Sequence, residues 1–353
     1  FFFLTILFFF FEGCMYAQLV DLLDRGALPG AMGYADLHRE VRRSLDEAHM
    51  EGELKAEILA DPDSYVVADA EAPLALLDQQ RAGKRLLLIT NSDWSYTRAL
   101  MSYAYDRHLP GGMTWRDLFT LVVVSARKPS FFSGNAPALE VVGEGDLLRP
   151  LSGPPRQGGI YHGGNAAQVE ALLALSGDKI LYVGDHVFGD VQASKSILRW
   201  RTALILRELE REIIAQREVQ QDQLEIGRLM AAKEVLELEQ CQLRLAQQRT
   251  KQGYGPQPQG SRGSRGKRLK ALRAEVEALD ARIGPLAARS SKVGNSWWGP
   301  LMRAGNDKSL LTRQVERSAD IYTSRVSNFL RRTPFAYLRS PRGCMSHDPA
   351  PVG

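Results

Sequence analysis

Short apolar runs alternate with stretches of helical period along the first two thirds of the chain. Arg85–Thr90 (RLLLIT), Leu121–Ala126 (LVVVSA) and Lys179–Asp185 (KILYVGD) predict strands, and Ala203–Leu206 a fourth. Between them, 95–106 and 165–175 carry apolar residues at helical spacing. Residues 14–60 predict helices too: LVDLLDRG stops at Gly26, and 34–58 is charged with a periodic apolar face. Strands alternating with helices predict an α/β fold, a parallel sheet covered on both faces.

The character changes near residue 207. Residues 207–249 are rich in Glu, Gln, Arg and Leu, with Leu229, Leu236 and Leu243 seven apart. Leu269, Leu272, Val276, Leu279, Ile283 and Leu286 then alternate spacings of three and four, an a/d seam. Between the two lies KQGYGPQPQGSRGSRGK (251–267), which predicts a disordered basic linker. An antiparallel helical hairpin is the simplest geometry, and two solvated helices on the core are the alternative. Trp297, Trp298 and neighbouring apolar groups predict that the last fifty or so residues pack back onto the fold. The expected organisation is thus a helical region 1–75, an α/β core 76–206, a hairpin 207–293 and a C-terminal segment 294–353.

The opening FFFLTILFFFF is an apolar run of roughly ten residues, too short to span a bilayer. It lacks the basic flank and the cleavage site of a signal peptide. It reads as an amphipathic or buried element whose upstream part is missing, and no membrane partner is expected.

Composition narrows the class. The 353 residues suggest about two domains, and 44% hydrophobic with 24% charged residues is ordinary for a globular protein. A net charge of +4 gives no reason to expect nucleic acid, and the basic excess is partly local, at Lys251, Arg262, Arg265, Lys267 and Arg268. Cys14, Cys241 and Cys344 have no metal or redox spacing and suit a reducing compartment, so a cytoplasmic location is expected.

Three strand ends carry the candidate chemistry, since ligands of open parallel sheets collect there. Thr90-Asn91-Ser92-Asp93 offers hydroxyls, an amide and a helix start to an anion, or else a simple N-cap. Lys128, after the second strand, is a point cation suited to phosphate or a surface lysine. Gly184-Asp185-His186-Val187-Phe188-Gly189-Asp190 places two carboxylates five apart among glycines, as a Mg²⁺ site or an Asp-capped turn. His186 reads as a structural histidine.

The order Ser/Thr, Lys, paired Asp, each after an apolar strand, resembles the haloacid dehalogenase (HAD) phosphohydrolase superfamily. LLLITNSDWSYT, SARKPSFF, IYHGGN, ILYVGDHVFGDVQASKSILRWRT and RSADIYTSRVSNFL are similar to the cytosolic purine 5′-nucleotidase family over roughly 14–210 and 295–350. The resemblance implies a HAD-like Rossmannoid sheet with a helical cap and, here, a C-terminal helical hairpin. It implies that Thr90, Asn91 and Ser92 bind phosphate, that Lys128 balances charge, and that Asp185 ligates Mg²⁺ with Asp190 supporting the loop and Lys128. It also implies nucleotide contacts from Arg42, Asp46, His49 and Lys55. Arg42, Asp46 and His49 share a helix face by spacing, although Arg42–Asp46 could equally be a helical ion pair.

The family's nucleophile, in a DxDx(T/V) motif, is not found. Asp61-Pro62-Asp63-Ser64-Tyr65 is the nearest string, but its fifth residue is Tyr, KAEILA before it reads as a helix, and it falls on the wrong side of the cap. The expectation is a Mg²⁺-dependent 5′-nucleotidase for purine nucleoside monophosphates of IMP or GMP type, acting through an aspartyl-phosphate. The nucleophile would lie upstream, which leaves this chain alone inactive or nearly so. The alternatives are a silent nucleotide-binding or scaffold relative, or a HAD phosphatase for another phosphomonoester. The heptad seam also permits a homo-oligomer.

Overall fold

The computed structural model describes residues 3–338 except 29, 31, 51, 144, 257–260, 292–293, 295–298 and 306, with backbone only at 3–12, 14, 46, 49 and 50. Trp297 and Trp298 therefore lie outside the described residues. Two compact units result: Phe1–Leu209 with Met302–Gly353, and Glu210–Leu301.

In the first unit the described strands are β1 (Leu87–Ile89), β2 (Leu121–Val124), β3 (Ala138–Val142), β4 (Leu147–Pro150), β5 (Ile160–Gly163), β6 (Leu181–Gly184), β7 (Arg201–Ile205), β8 (Arg303–Ala304), β9 (Asp307–Lys308) and β10 (Ile321–Thr323). The expected parallel sheet is present in two pieces. One runs β1-β2-β5-β3-β4, the other β10-β7-β6, and β8-β9 is a small ribbon. β1, β2 and β5 are parallel, as are β10, β7 and β6, while β3 runs antiparallel to both its neighbours. Among the described residues β1 and β6 each keep one unpaired edge.

β2 shows why its sequence is continuously apolar. Leu121 and Val123 enter a core with Phe131, Phe132, Tyr161, Tyr182 and Trp200. Val122 and Val124 enter the opposite one, with Leu88, Trp94, Met101 and Trp115. A strand buried on both faces has no polar alternation to keep. Phe132 meets Tyr182 and Trp200 edge-on at 5.1 and 6.0 Å, and the Trp200 indole donates to Glu170 at 2.7 Å, so the first core spans both sheets.

The N-terminal segment forms helices Phe3–Asp24, Tyr34–Met50 and Glu53–Ala60, as its periodicity predicts. The first stops where Gly26 takes φ +66°, with Gly26 N–H donating to the Leu23 carbonyl and Ala27 N–H to that of Leu22. These are the two bonds of a Schellman motif, which needs a left-handed residue there. Among the described residues no helix is long and apolar enough to cross a membrane.

The C-terminal segment is tied to the core through β10. Asp320, just before it, accepts the Thr202 N–H of β7 at 2.8 Å and pairs with Lys195 at 2.9 Å.

The second unit is an antiparallel hairpin of Gln220–Gln252 and Arg262–Ser290, preceded by Leu209–Glu218. Asp222–Arg289, Glu225–Arg282, Lys233–Asp280 and Glu239–Arg268 pair across it, one number rising as the other falls. Leu229, Leu269 and Leu272 are buried, and Leu236, Leu243, Val276, Leu279, Ile283 and Leu286 half-buried, between exposed neighbours. The stretch 251–267, expected to be a disordered linker, is helical at both of its ends, through Gln252 and from Arg262. Ser261 caps a helix that starts at Arg262, accepting the Ser264 N–H at 3.1 Å, and Arg265 is already buried. A hydroxyl cap and a buried side chain offset the low helix propensity of Gly263 and Gly266.

Burial works to raise the Asp320 carboxyl, but Lys195 and the Thr202 amide outweigh it and hold it below its usual range. Its contribution is then present above the unfolded carboxylate value of about 4 and lost as pH falls through the folded one. Asp320→Asn should lower the urea midpoint at pH 7, and the gap from wild type should narrow by pH 3.

Candidate functional site

The loops after β1 and β2 are laced together by backbone. Thr90 N–H donates to the Val123 carbonyl at 2.9 Å, Ala126 N–H to that of Thr90 at 2.9 Å, and Ser125 N–H to that of Ser92 at 2.8 Å. Ser125 and Arg127 sit at φ +49° and +59°, conformations that side-chain-bearing residues hold only where surroundings enforce them. Thr90 is buried, and its hydroxyl oxygen accepts the Ser92 N–H at 3.1 Å.

Asn91 holds Lys128 in place. Its side-chain oxygen accepts the Lys128 N–H at 2.7 Å, and its amide donates to the Lys128 carbonyl at 3.2 Å. The expected anion-binding amide is thus spent on positioning the lysine, which leaves the Asn91 backbone for any ligand.

Lys128 reaches across to the loop after β6 and pairs with Asp190 at 2.8 Å, with side-chain exposures of 16% and 4%. Asp190 also accepts the Tyr182 hydroxyl and the His186 N–H, each at 3.2 Å. Tyr182 and Gly184 lie on one face of β6, and a Cβ on Gly184 would stand 2.5 Å from the Asp190 Cβ. Glycine is therefore required for Asp190 to lie over the strand. Residues Val187–Gln192 form a π-helical turn, a form concentrated at functional sites. His186 Nδ1 accepts the Gly189 N–H at 2.8 Å, the structural role its position suggested.

Asp185 is 8% exposed. Burial, then the charge of Asp190, pushes its carboxyl well above the usual range, with Lys128 offsetting part. Burial would raise Asp190 as well, but Lys128, the hydrogen bond from Asp185 and the His186 amide hold it low. Two buried carboxylates therefore share one ammonium. A hard divalent cation at Asp185 would relieve that excess, and its oxygen donors suit one that completes its shell with water and substrate oxygens. Among the described residues no three of His, Cys, Asp and Glu converge as a metal cage.

Lys55 comes to the same rim. It pairs with Asp93 at 2.9 Å and lies 5.3 Å from the Tyr96 ring centre. Asp93 caps helix Trp94–Tyr105 by accepting the Tyr96 N–H at 2.8 Å. Arg42 is exposed on Tyr34–Met50. The side chains of Asp46 and His49 lie outside the described residues. Asp61 and Asp63 are exposed around a single helical turn that follows helix Glu53–Ala60, where Asp61 accepts from Ser64 and Asp63 from Tyr103. Among the described residues no strand precedes them, so neither stands at a strand end as the nucleophile motif implied by the resemblance would.

Tyr182 and the pairing of Asp93 with Lys55 escaped the sequence reading. A tyrosine inside an apolar strand looks like core, and only the shared face with Gly184 marks it as a partner of Asp190. Asp93 looked like an N-cap, which it is, and its ion pair with Lys55 spans 38 residues of sequence.

A model of the 5′ nucleotidase family matches residues 1–350. The human 5′-nucleotidase domain-containing protein 2 is 34% identical over 180 residues, covering 51% of this chain and 34% of that protein. The matched segment thus spans about a third of the length of that relative.

Removing one partner of the Lys128–Asp190 pair strands a buried charge. Lys128→Met should cost about 3–5 kcal/mol in urea unfolding. Adding Asp190→Leu should recover part of that loss, because both charges then leave together.

Proposed function

We propose, from the premise that the chain belongs to the 5′ nucleotidase family, that it carries the phosphate and Mg²⁺ site of a HAD-type phosphohydrolase. The substrate would be a purine nucleoside 5′-monophosphate of IMP or GMP type. The observation that carries the reading is the convergence of three strand ends: Thr90 and Ser92 after β1, Lys128 after β2, and Asp185 with Asp190 after β6. Each supplies one requirement of phosphoryl transfer, namely anion donors, a point cation and a hard-metal ligand.

In this reading Thr90 and Ser92 donate to the phosphate oxygens. Lys128, its backbone fixed by Asn91 and its ammonium steered by Asp190, sits against the same phosphate and balances charge as the nucleophile approaches. Asp185 holds Mg²⁺, which supplies further charge neutralisation on the transferring phosphoryl group. The attacking group would be an aspartate, and no DxDx(T/V) motif occurs in the 353 residues to supply it. The unpaired edges of β1 and β6, whose following loops meet through Asn91, Lys128 and Asp190, favour its arrival on a strand between them. Its carboxylate oxygen would bond to phosphorus as the bond to the nucleoside oxygen breaks, leaving an aspartyl-phosphate for water to hydrolyse. Lys55 stands beside Asp93 at the rim, and with Arg42, Asp46 and His49 it would contact the nucleoside.

The test separates binding from turnover. Calorimetry of the 353-residue chain should show GMP or IMP binding that requires Mg²⁺, weakened at least tenfold by Asp185→Asn and by Thr90→Val. Phosphate release should be negligible. Binding indifferent to Mg²⁺ would sink the metal assignment, and rapid turnover by this chain would sink the missing nucleophile. A wider panel of phosphomonoesters tests the base preference.

A further inference from the structure

The expectation that nucleic acid is not a partner rests on whole-chain charge, and the hairpin distributes that charge very unevenly. Between Glu239 and Glu275 the chain has nine Lys and Arg and no Asp or Glu. With nine of the 45 basic residues there and none of the 41 acidic ones, the rest of the chain is net acidic. Among the described residues the cross-helix ion pairs run from Asp222–Arg289 up to Glu239–Arg268 and go no further. Beyond that point lie the last turns of Gln220–Gln252 and the first turns of Arg262–Ser290.

Arg244, Lys251, Arg262, Lys267, Lys270 and Arg273 are all exposed in that region, and among the described residues none has a carboxylate partner. From Arg244 to the end of its helix is about 12 Å, little more than one Debye length at physiological salt, so these charges act together. Arg265 adds a cation that is only 7% exposed, close to the positive end of the second helix. Cations at that end and at this density repel one another unless an anion lies against them.

The chemistry of the tip selects among polyanions. Its apolar seam is turned inward, with Leu269 and Leu272 buried between the helices, so it lacks the broad apolar face by which a helix lies in a membrane. Arginines outnumber lysines six to three between Glu239 and Glu275, and the guanidinium fork matches phosphate in two-point contact. Tyr254, 44% exposed, accepts the Gln248 side-chain amide at its hydroxyl at 2.7 Å, and is an aromatic on which a base could stack. A cationic track beside an exposed aromatic is the arrangement that holds unpaired strands.

We propose that the tip of this hairpin binds single-stranded nucleic acid, with the exposed Arg and Lys residues on its phosphates and Tyr254 stacked on a base. Its residues belong to the unit Glu210–Leu301, and those of the phosphate site to the first unit.

The test is fluorescence anisotropy of a labelled, unstructured 20-nucleotide RNA with the full 353-residue chain across a salt series. Lys251→Gln, Arg262→Gln, Lys267→Gln and Lys270→Gln together should weaken binding more than tenfold. They should also reduce the slope of log affinity on log salt by about 2 to 3, four neutralised contacts at roughly 0.7 each. Tyr254→Ala should weaken binding several-fold with the slope unchanged. Arg228→Gln, at an exposed position away from the tip, should leave binding as it was, and unchanged circular dichroism certifies that each variant is folded. Undiminished binding by the quadruple variant or by Tyr254→Ala would overturn the proposal. So would preference for a duplex of the same length, or for phosphatidylserine vesicles over RNA.

Discussion

The ion pair between Lys128 and Asp190 is the constraint on which the first unit turns. It joins loops that follow strands of two different sheets, and among the described residues those sheets exchange no strand pairing. Burying a lysine and an aspartate is costly unless each is fully engaged, and the surroundings meet that demand locally. Asn91 fixes the lysine backbone, Tyr182 and the His186 amide complete the aspartate, and Gly184 leaves room for it. The result is a rigid bridge at the carboxyl ends of the strands, with Asp185 beside it and Thr90 at its rim.

That bridge also explains why a second carboxylate can be held at Asp185. Burial, then the charge of Asp190, disfavours its negative charge and pushes its carboxyl well above the usual range, with Lys128 offsetting part. Groups whose environment works against their ordinary charge state concentrate at functional sites. The two sheets themselves are joined by side-chain packing, with Phe132, Tyr182 and Trp200 forming the common core. Edge strands are normally covered or paired, and among the described residues β1, β4, β6 and β10 each keep one edge without a strand partner.

Much of this was legible in the sequence because it depends on local patterns. β1, β2, β6 and β7 follow from apolar runs, the helix stop from Gly26, and the hairpin from heptads whose seam residues are buried or half-buried. Less legible were β3, β4 and β5, where Leu147 and Leu148 are exposed and the pattern carries little burial signal, and β10, only three residues long. The division into two sheets depends on long-range pairing that no local window contains. At the site, residue types marked Thr90, Lys128, Asp185 and Asp190. The positioning role of Asn91 and the part of Tyr182 required three dimensions, because their partners lie on other elements or across a strand face. The linker was misread because composition registered its glycines and not the Ser261 cap or the burial of Arg265.

The most direct measurement is a crystal structure of the 353-residue chain soaked with Mg²⁺ and orthovanadate or phosphate. The account predicts an anion within about 3.2 Å of donors from Thr90 or Ser92 and of Lys128 Nζ, with a cation on the Asp185 carboxylate. An anion bound elsewhere, with Lys128 still committed to Asp190 and no metal at Asp185, would contradict it.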